Sequence, residues 1–342
     1  MGFSTDIAID LGSHKTILMS GSKIILEQPS VVAVDSDTWE PISYGDDAYK
    51  MIGRTPESVT VVYPIERGVI SDYQIAELML KHFMEKAFGN RIIKPRVMIS
   101  VPIGVTSVQH RSVSKSIETA GARSVCTIES PIAAAIGLGI DFTEPRGNMI
   151  VDIGAGITDA AVVSMGAFAE CNSFRTASVD FDDAIIKYVR RKFNILIGRS
   201  TACYIKEQIG CVMKRPVSLT LQVKGQDAFT GIPKHFEITS DDAFVALRDT
   251  AEVICSHIRS VIEKTEPDLV ADILTYGIHL TGGGSLIFGM DKLLSERLKV
   301  AVKSDGDPVH TVAVGAGVAL KNPDLLKNGD YQFRSLQELI LE

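Results

Sequence analysis

Apolar residues follow two rhythms along this chain. Short runs of Ile, Val, Leu and Ala, bounded by glycine or polar clusters, predict buried strands over 24–26, 31–34, 97–101, 125–128, 149–153, 160–163, 217–223 and 278–280. Apolar positions spaced three and four apart predict amphipathic helices over 73–87, 107–120, 131–138, 182–193, 200–210, 240–264 and 286–298. Strands alternating with helices imply an α/β fold with mixed sheets. Pro145-Arg146-Gly147-Asn148 interrupts the pattern as a domain boundary would, and Gly306-Asp307-Pro308 interrupts it again. The small residues of 311–320 then predict a close-packed helix. The stretch 331–342 carries Phe333, Leu336, Leu339 and Ile340 and predicts a short amphipathic helix docked on the first domain. With 342 residues, two domains is the natural expectation.

One phrase in this pattern occurs twice. Ile7-Ala8-Ile9-Asp10-Leu11-Gly12-Ser13-His14-Lys15-Thr16 is echoed by Ile150-Val151-Asp152-Ile153-Gly154-Ala155-Gly156-Ile157-Thr158-Asp159, and each copy leads into a second apolar strand. Asp10 and Asp152 lie 142 residues apart, which marks two related halves rather than a solenoid. Tight glycine turns present backbone N–H groups to phosphate oxygens, and a carboxylate at each strand end can hold the waters of a bridging Mg²⁺. A polyphosphate clamped from two sides suits this chemistry; two ordinary hairpins with Asp at the strand ends are the plain alternative. A third turn, Thr281-Gly282-Gly283-Gly284-Ser285, reads as the end of a buried strand feeding a helix, a place for an anion or for a flat base and ribose against the backbone. Gly154-Ala155-Gly156 lacks the third glycine of a dinucleotide fingerprint and leads into a strand. No G-x-x-x-x-G-K-[ST] occurs, which excludes the P-loop class.

Composition narrows the picture further. The net charge of −7, with no Lys/Arg block, argues against nucleic acid as a partner. Cys126, Cys171, Cys203, Cys211 and Cys255 lack metal-ligand spacing and read as buried cytosolic thiols. No uninterrupted apolar window reaches about 18 residues, so nothing is expected to span a membrane.

Asp10-Leu11-Gly12, Val151-Asp152-Ile153-Gly154 and Leu280-Thr281-Gly282-Gly283-Gly284 resemble the two phosphate loops and the adenosine loop of the actin, hexokinase and heat-shock chaperone ATPase superfamily. Between them, Leu26-Glu27-Gln28-Pro29-Ser30-Val31-Val32-Ala33, Ile52-Gly53-Arg54-Thr55-Pro56, Gly68-Val69-Ile70-Ser71-Asp72, Lys94-Pro95-Arg96-Val97, Ala133-Ala134-Ala135-Ile136-Gly137 and Ala271-Asp272-Ile273 closely resemble the MreB family of bacterial actins. The resemblance runs from about residue 5 to residue 320. It implies an actin-like two-domain α/β fold of four subdomains, with a duplicated ribonuclease-H-like core around a nucleotide cleft. The expected subdomains are IA (1–30, 70–147 and 315–342), IB (31–69), IIA (148–179 and 257–314) and IIB (180–256). ATP or ADP with Mg²⁺ is the expected ligand. Asp10 and Asp152 would order the metal's waters. Gly12, Ser13, His14, Lys15 and Thr16 would form the first phosphate turn, and Gly154, Ala155, Gly156 and Thr158 the second. Lys206 and Glu207 would flank the nucleoside opposite Gly282, Gly283 and Gly284, although an exposed helix face explains that pair equally well.

Departures from the family are informative. Where members read Glu-Glu-Pro, this chain reads Ile128-Glu129-Ser130-Pro131, so Ser130 replaces the group that orients the attacking water. A hydroxyl has no useful basicity at neutral pH and is too short to reach the same water. Glu129, one residue off on a strand end, points the other way. The family's Gly-Gly-Gly-Thr-Thr-Glu becomes Gly154-Ala155-Gly156-Ile157-Thr158-Asp159, and Ile157 removes a second water-positioning hydroxyl. The Val-Gly-Gly-Asp segment becomes Thr176-Ala177-Ser178-Val179, with Asp180 adjacent. Weak or residual ATPase is therefore expected, as in an eroded paralogue of the kind several-copy wall-less helical bacteria keep. A competent ATPase, or a sugar-kinase-like phosphotransferase on the same fold, is the rival. The resemblance also implies homopolymeric protofilaments, paralogues as partners, and a cytoplasmic position peripheral to the inner face of the membrane. Ile92 and Ile93, between Arg91 and Lys94, are the expected anchor on an anionic membrane surface; the alternative is that they begin the next strand and face the core.

Overall fold

Each Asp-Gly hairpin seeds a sheet, and the two sheets have the same design. The computed structural model describes residues 6–89, 94–304, 306–322 and 334–335. In the first sheet, Asp6–Leu11 turns back antiparallel as Lys15–Ser20, which pairs with Lys23–Pro29; on its other side lie Arg96–Val101 and then Ser124–Glu129, both parallel. In the second, Asn148–Ile153 pairs antiparallel with Thr158–Ser164, which pairs with Ala167–Phe174; Ile278–Thr281 and Val302–Lys303 follow in parallel on the other side. The registers agree as well. Asp10 stands between Ile17 and Ser100, and Asp152 stands between Asp159 and Thr281. Parallel neighbours need helical crossovers, supplied by Ser107–Thr119 in one half and Met290–Leu298 in the other.

Each half also carries an inserted unit. The first is the three-stranded sheet of Val32–Asp35, Pro41–Tyr44 and Val59–Val62 with the helix Gly45–Met51. The second combines Ile195–Leu196, Thr220–Asp227 and Pro233–Thr239 with the helices Ser178–Phe193, Arg199–Ile209 and Ser240–Lys264.

One apolar core joins the halves. Ala8, Ile17 and Met19 of the first sheet and Ile150, Ala161 and Val163 of the second pack on the helices Ser130–Gly137 and Thr311–Lys321. These helices approach backbone to backbone. A Cβ on Gly315 would lie 1.6 Å from the Ala133 carbonyl oxygen, and one on Gly137 would lie 2.2 Å from that of Thr311. The chain passes between the sheets beside these helices, after Gly137 and before Thr311.

Four expectations need correction. The glycine turn at 282–284 does not open a helix over 286–298: Gly283–Leu286 is a single 3₁₀ turn, the backbone reverses at Gly289 (φ +85), and the helix is Met290–Leu298. The strand expected over 217–223 is Thr220–Asp227, a polar, partly exposed hairpin arm with little apolar signal to fix its ends. The helix expected from 182 begins at Ser178, where the Asp180 carboxylate accepts from the Ala177 amide at 2.8 Å. Within 331–342, the described Arg334–Ser335 is a strand paired with Cys126 and Thr127 at the edge of the first sheet rather than helix. The docking on the first domain therefore holds for these two residues, through sheet extension.

Candidate functional site

Both hairpins close in the same way. The Gly12 amide donates to the Lys15 carbonyl at 3.1 Å, and the Gly154 amide donates to the Ile157 carbonyl at 2.9 Å. A Cβ at Gly12 would lie 2.7 Å from the Lys15 oxygen, so only glycine permits that turn. The third turn is built against the second. Gly282 (φ +86) lies so close to Asp152 and Ile153 that a Cβ would sit 2.2 Å from Asp152 Oδ1, and Gly284 is pressed on Ile153. Gly283 faces open space. The three turns singled out in the sequence thus form one site. Ser13, His14 and Gly156 line an open cleft, with Tyr49 and Tyr63 from one inserted unit and Asp182, Arg199 and Cys203 from the other.

Three carboxylates lie close together at the strand ends beside the turns. Burial raises the Asp10 carboxyl above its ordinary range, opposed by the Ser100 hydroxyl, which donates to it at 2.6 Å, and by nearby His310. Asp152 is raised well above that range by burial, then by the charges of Asp159 and Asp10. Asp159 is 1% exposed and is pushed up to about 7 by burial, against the approach of the Ser173 side chain and the Ile103 amide. Neither Asp159 oxygen has a partner in good hydrogen-bond geometry. Asp152 thus feels both neighbouring acids, while among the described residues no group of three His, Cys, Asp or Glu side chains is placed to hold a metal ion directly.

The remaining residues take specific places. Thr16 and Thr158 are buried braces of the two turns: Thr16 shares a hydrogen bond with Ser30, whose hydroxyl donates to the Gly12 carbonyl at 2.6 Å, and Thr158 donates to the Thr176 carbonyl at 2.8 Å. Lys15 pairs with Glu27 at 2.8 Å. His14 stacks edge-on to Tyr49 at 5.9 Å, and its pKa is lowered by burial, then by Lys206 and Lys15. Lys206 does not lie on an exposed helix face; it turns inward to Asp182 at 2.8 Å and to the Ser178 hydroxyl at 2.9 Å. Glu207 is exposed and accepts from Cys203 at 3.5 Å. The Ser130 hydroxyl, 8% exposed, donates to the Val101 carbonyl at 3.1 Å. Ile157 and Pro102 form a seat for Gly68, where a Cβ would come within 2.8 Å of Ile157 Cδ1. Ile92 and Ile93 lie outside the described residues.

Sequence reasoning missed the turn that bridges the two hairpins. Arg67 (φ +47) and Gly68 (φ +75) reverse the chain so that the Gly68 amide donates to Ser13 Oγ at 3.0 Å. Arg67 then pairs with Asp180 at 3.0 Å and donates to the Arg175 carbonyl, tying the first half to the second across the cleft. The only signal in the sequence is a glycine after a charged run, which marks a turn but not its partners 108 and 113 residues away.

Comparisons agree with this geometry. The family model described as MreB/Mbl protein matches residues 4–328. The cell shape-determining protein Mbl of Bacillus cereus is 41% identical over 326 residues, covering 95% of this chain and 98% of that protein. The cell shape-determining protein MreB of Escherichia coli is 39% identical over 330 residues, covering 94% and 95%. The crystal structure of MreB 5 of Spiroplasma citri bound to AMPPNP superposes with a TM-score of 0.89 at 32% identity, covering 93% of this chain and 96% of that one. The MamK double helical filament, at 22% identity and a TM-score of 0.78, shares the fold. A fold built twice from one strand order, three adjoining glycine turns and matches over nearly the whole length lead to one assignment: this chain has the actin-like fold and belongs to the MreB/Mbl family.

Proposed function

We propose that this chain binds ATP or ADP with Mg²⁺ in the cleft and assembles head to tail into cytoskeletal filaments that govern cell shape or motility, with weak hydrolysis. The observation that supports this reading is the pair of equivalent hairpins whose carboxylates, Asp10 and Asp152, lie within electrostatic reach of each other beside Asp159. Relatives support it: the S. citri structures hold AMPPNP and ADP, and the Bacillus and Escherichia proteins are cell shape-determining. In this reading the amides of the two turns receive the phosphate oxygens, Asp10 and Asp152 hold the waters of the metal, and the nucleoside lies against exposed Gly283. Bound Mg²⁺ would neutralise the phosphates. Ser130 and Ile157 offer the attacking water neither a base nor a hydroxyl, so the nucleotide acts as a state marker that is spent slowly.

The test is sedimentation with and without Mg-ATP. Asp152→Ala is expected to weaken Mg-ATP binding by roughly 10–100-fold, since residues that orient a metal's ligands typically contribute that much, and to lower the pelleted fraction in parallel. Equal pelleting of apo and ATP forms would refute nucleotide-gated assembly.

The position proposed for the filament is cytoplasmic, at the inner face of the membrane; among the described residues no helix is long and apolar enough to cross one. Attachment through Ile92 and Ile93 predicts that Ile92→Ser with Ile93→Ser abolishes co-flotation with anionic liposomes while leaving sedimentation in solution intact. Undiminished co-flotation would move the contact elsewhere.

A further inference from the structure

A chain of four charged or titratable side chains runs from the first phosphate turn to the second crossing between the sheets. Lys15 Nζ donates to Glu27 Oε1 at 2.8 Å, Glu27 Oε2 meets His310 Nε2 at 3.1 Å, and His310 Nδ1 meets Asp307 Oδ2 at 2.5 Å. Lys15 and Glu27 sit on adjacent strands of the first sheet. Asp307 and His310 sit in the segment entering the helix Thr311–Lys321. That segment is also fastened to the second sheet, because the Pro308 carbonyl accepts from the Gly282 amide and the Thr281 hydroxyl, both at 3.0 Å. The network therefore connects the first phosphate turn to the third glycine turn through a single histidine.

We propose that Lys15, Glu27, His310 and Asp307 form a protonation-dependent clasp between the halves, which retains nucleotide when His310 is charged and loosens the cleft when it is neutral. The proposal rests on the nucleotide reading given above and adds a regulator to it. A histidine with a carboxylate on each ring nitrogen satisfies both only as imidazolium, since a neutral ring carries one N–H. Losing that proton sets a bare ring nitrogen against a carboxylate and breaks one of the two links. Burial works against the charge, yet the bonds to Asp307 and Glu27 prevail and raise the His310 pKa above its ordinary value. The groups facing His310 are Glu27 and, through it, Lys15, together with Asp307 on its own segment and Asp10 on the adjoining strand. The helix Ser130–Gly137, packed on Thr311–Lys321, brings no titratable side chain.

The sign follows from linkage. A group whose folded pKa is raised stabilises fully below its unfolded value, near 6.5, and loses that stabilisation as pH rises through the folded value. The clasp is thus shut under mild acid and opens toward alkaline pH.

The test uses the full chain preloaded with a fluorescent ADP analogue and chased with excess ATP between pH 6 and pH 9. Wild-type release is expected to slow at least ~5-fold toward pH 6, the low end of typical coupling between sites. His310→Gln and Glu27→Gln are expected to release quickly at every pH. Asp159 titrates in the same window, so the diagnostic quantity is wild type minus variant. Variants that keep the wild-type pH dependence would overturn the clasp. Thermal unfolding without nucleotide separates the two readings: the wild-type advantage in Tm over His310→Gln should be largest near pH 6 and vanish as pH rises. A pH-independent advantage also overturns the clasp, whereas failure to load the analogue overturns the nucleotide reading instead.

Discussion

Replacing Ser130 with Glu and Ile157 with Thr together is expected to raise phosphate release from Mg-ATP by about 10²-fold or more, within the ~10²–10⁴ that a positioned base supplies. Ser130 is the first residue of a helix at the end of the strand Ser124–Glu129, and its hydroxyl is committed to the Val101 carbonyl. A glutamate at this helix start is compatible with the local dipole and has the length that serine lacks. Ile157 closes the second turn, immediately before the strand Thr158–Ser164, where a threonine hydroxyl would return a polar contact for the water. Its present role is apolar, seating Gly68 with Pro102. The single variant Ile157→Thr should therefore loosen that seat without restoring turnover, and Ser130→Glu alone should restore only part. A continuous phosphate assay at saturating ATP checks this. Release from the wild type as fast as from the double variant would show that the two substitutions are not what limits hydrolysis.

Gly315→Ala is expected to destabilise the protein by ~3 kcal/mol or more, at or beyond the upper end of the usual range for overpacking. The new methyl would meet the Ala133 carbonyl carbon at 2.6 Å and its oxygen at 1.6 Å, and neither can rotate away as a side chain would. The helices Ser130–Gly137 and Thr311–Lys321 would have to separate, and the core between the sheets would open with them. Gly317, two residues on, is the internal control. A Cβ there finds its nearest neighbour at 3.5 Å, so Gly317→Ala should be neutral or stabilising by up to ~1 kcal/mol through helix propensity. Urea denaturation of the two variants compares them directly. Equal midpoints would mean that the helices are not in backbone contact.

The duplication was legible because its signal is local: ten residues carry the strand, the acid, the glycine turn and the returning strand in order. The same locality made Asp10, Asp152 and the glycines at 282–284 readable, and the structure brings the three turns beside one another. Thr16 and Thr158 take a place the sequence alone did not show. Their place beside a turn looks like a ligand position, but strand alternation aims both hydroxyls into the protein. Lys206 was ambiguous because its partners, Asp182 and Ser178, belong to a different helix. Arg67 with Asp180, and Glu27 with His310, were beyond reach, since each pair joins ordinary charged residues from distant parts of the chain. Their meeting depends on how the halves close, which no short pattern encodes. The third turn's helix failed on one backbone angle: the positive φ of Gly289 ends what the apolar spacing would have continued.

The helix Thr311–Lys321 is made near the end of the chain, yet it covers Ala8, Ile17 and Met19 near its beginning. The second sheet has all its strands by Lys303, whereas the first receives its outermost described strand only with Arg334–Ser335. During synthesis the half that leaves the ribosome first is therefore the half completed last. The apolar face around Ala8, Ile17 and Met19 lacks this helix until Lys321 has emerged. The same order delays the cleft, because the Gly12–Lys15 turn borders that unfinished sheet and a partial chain lacks the packing that supports it.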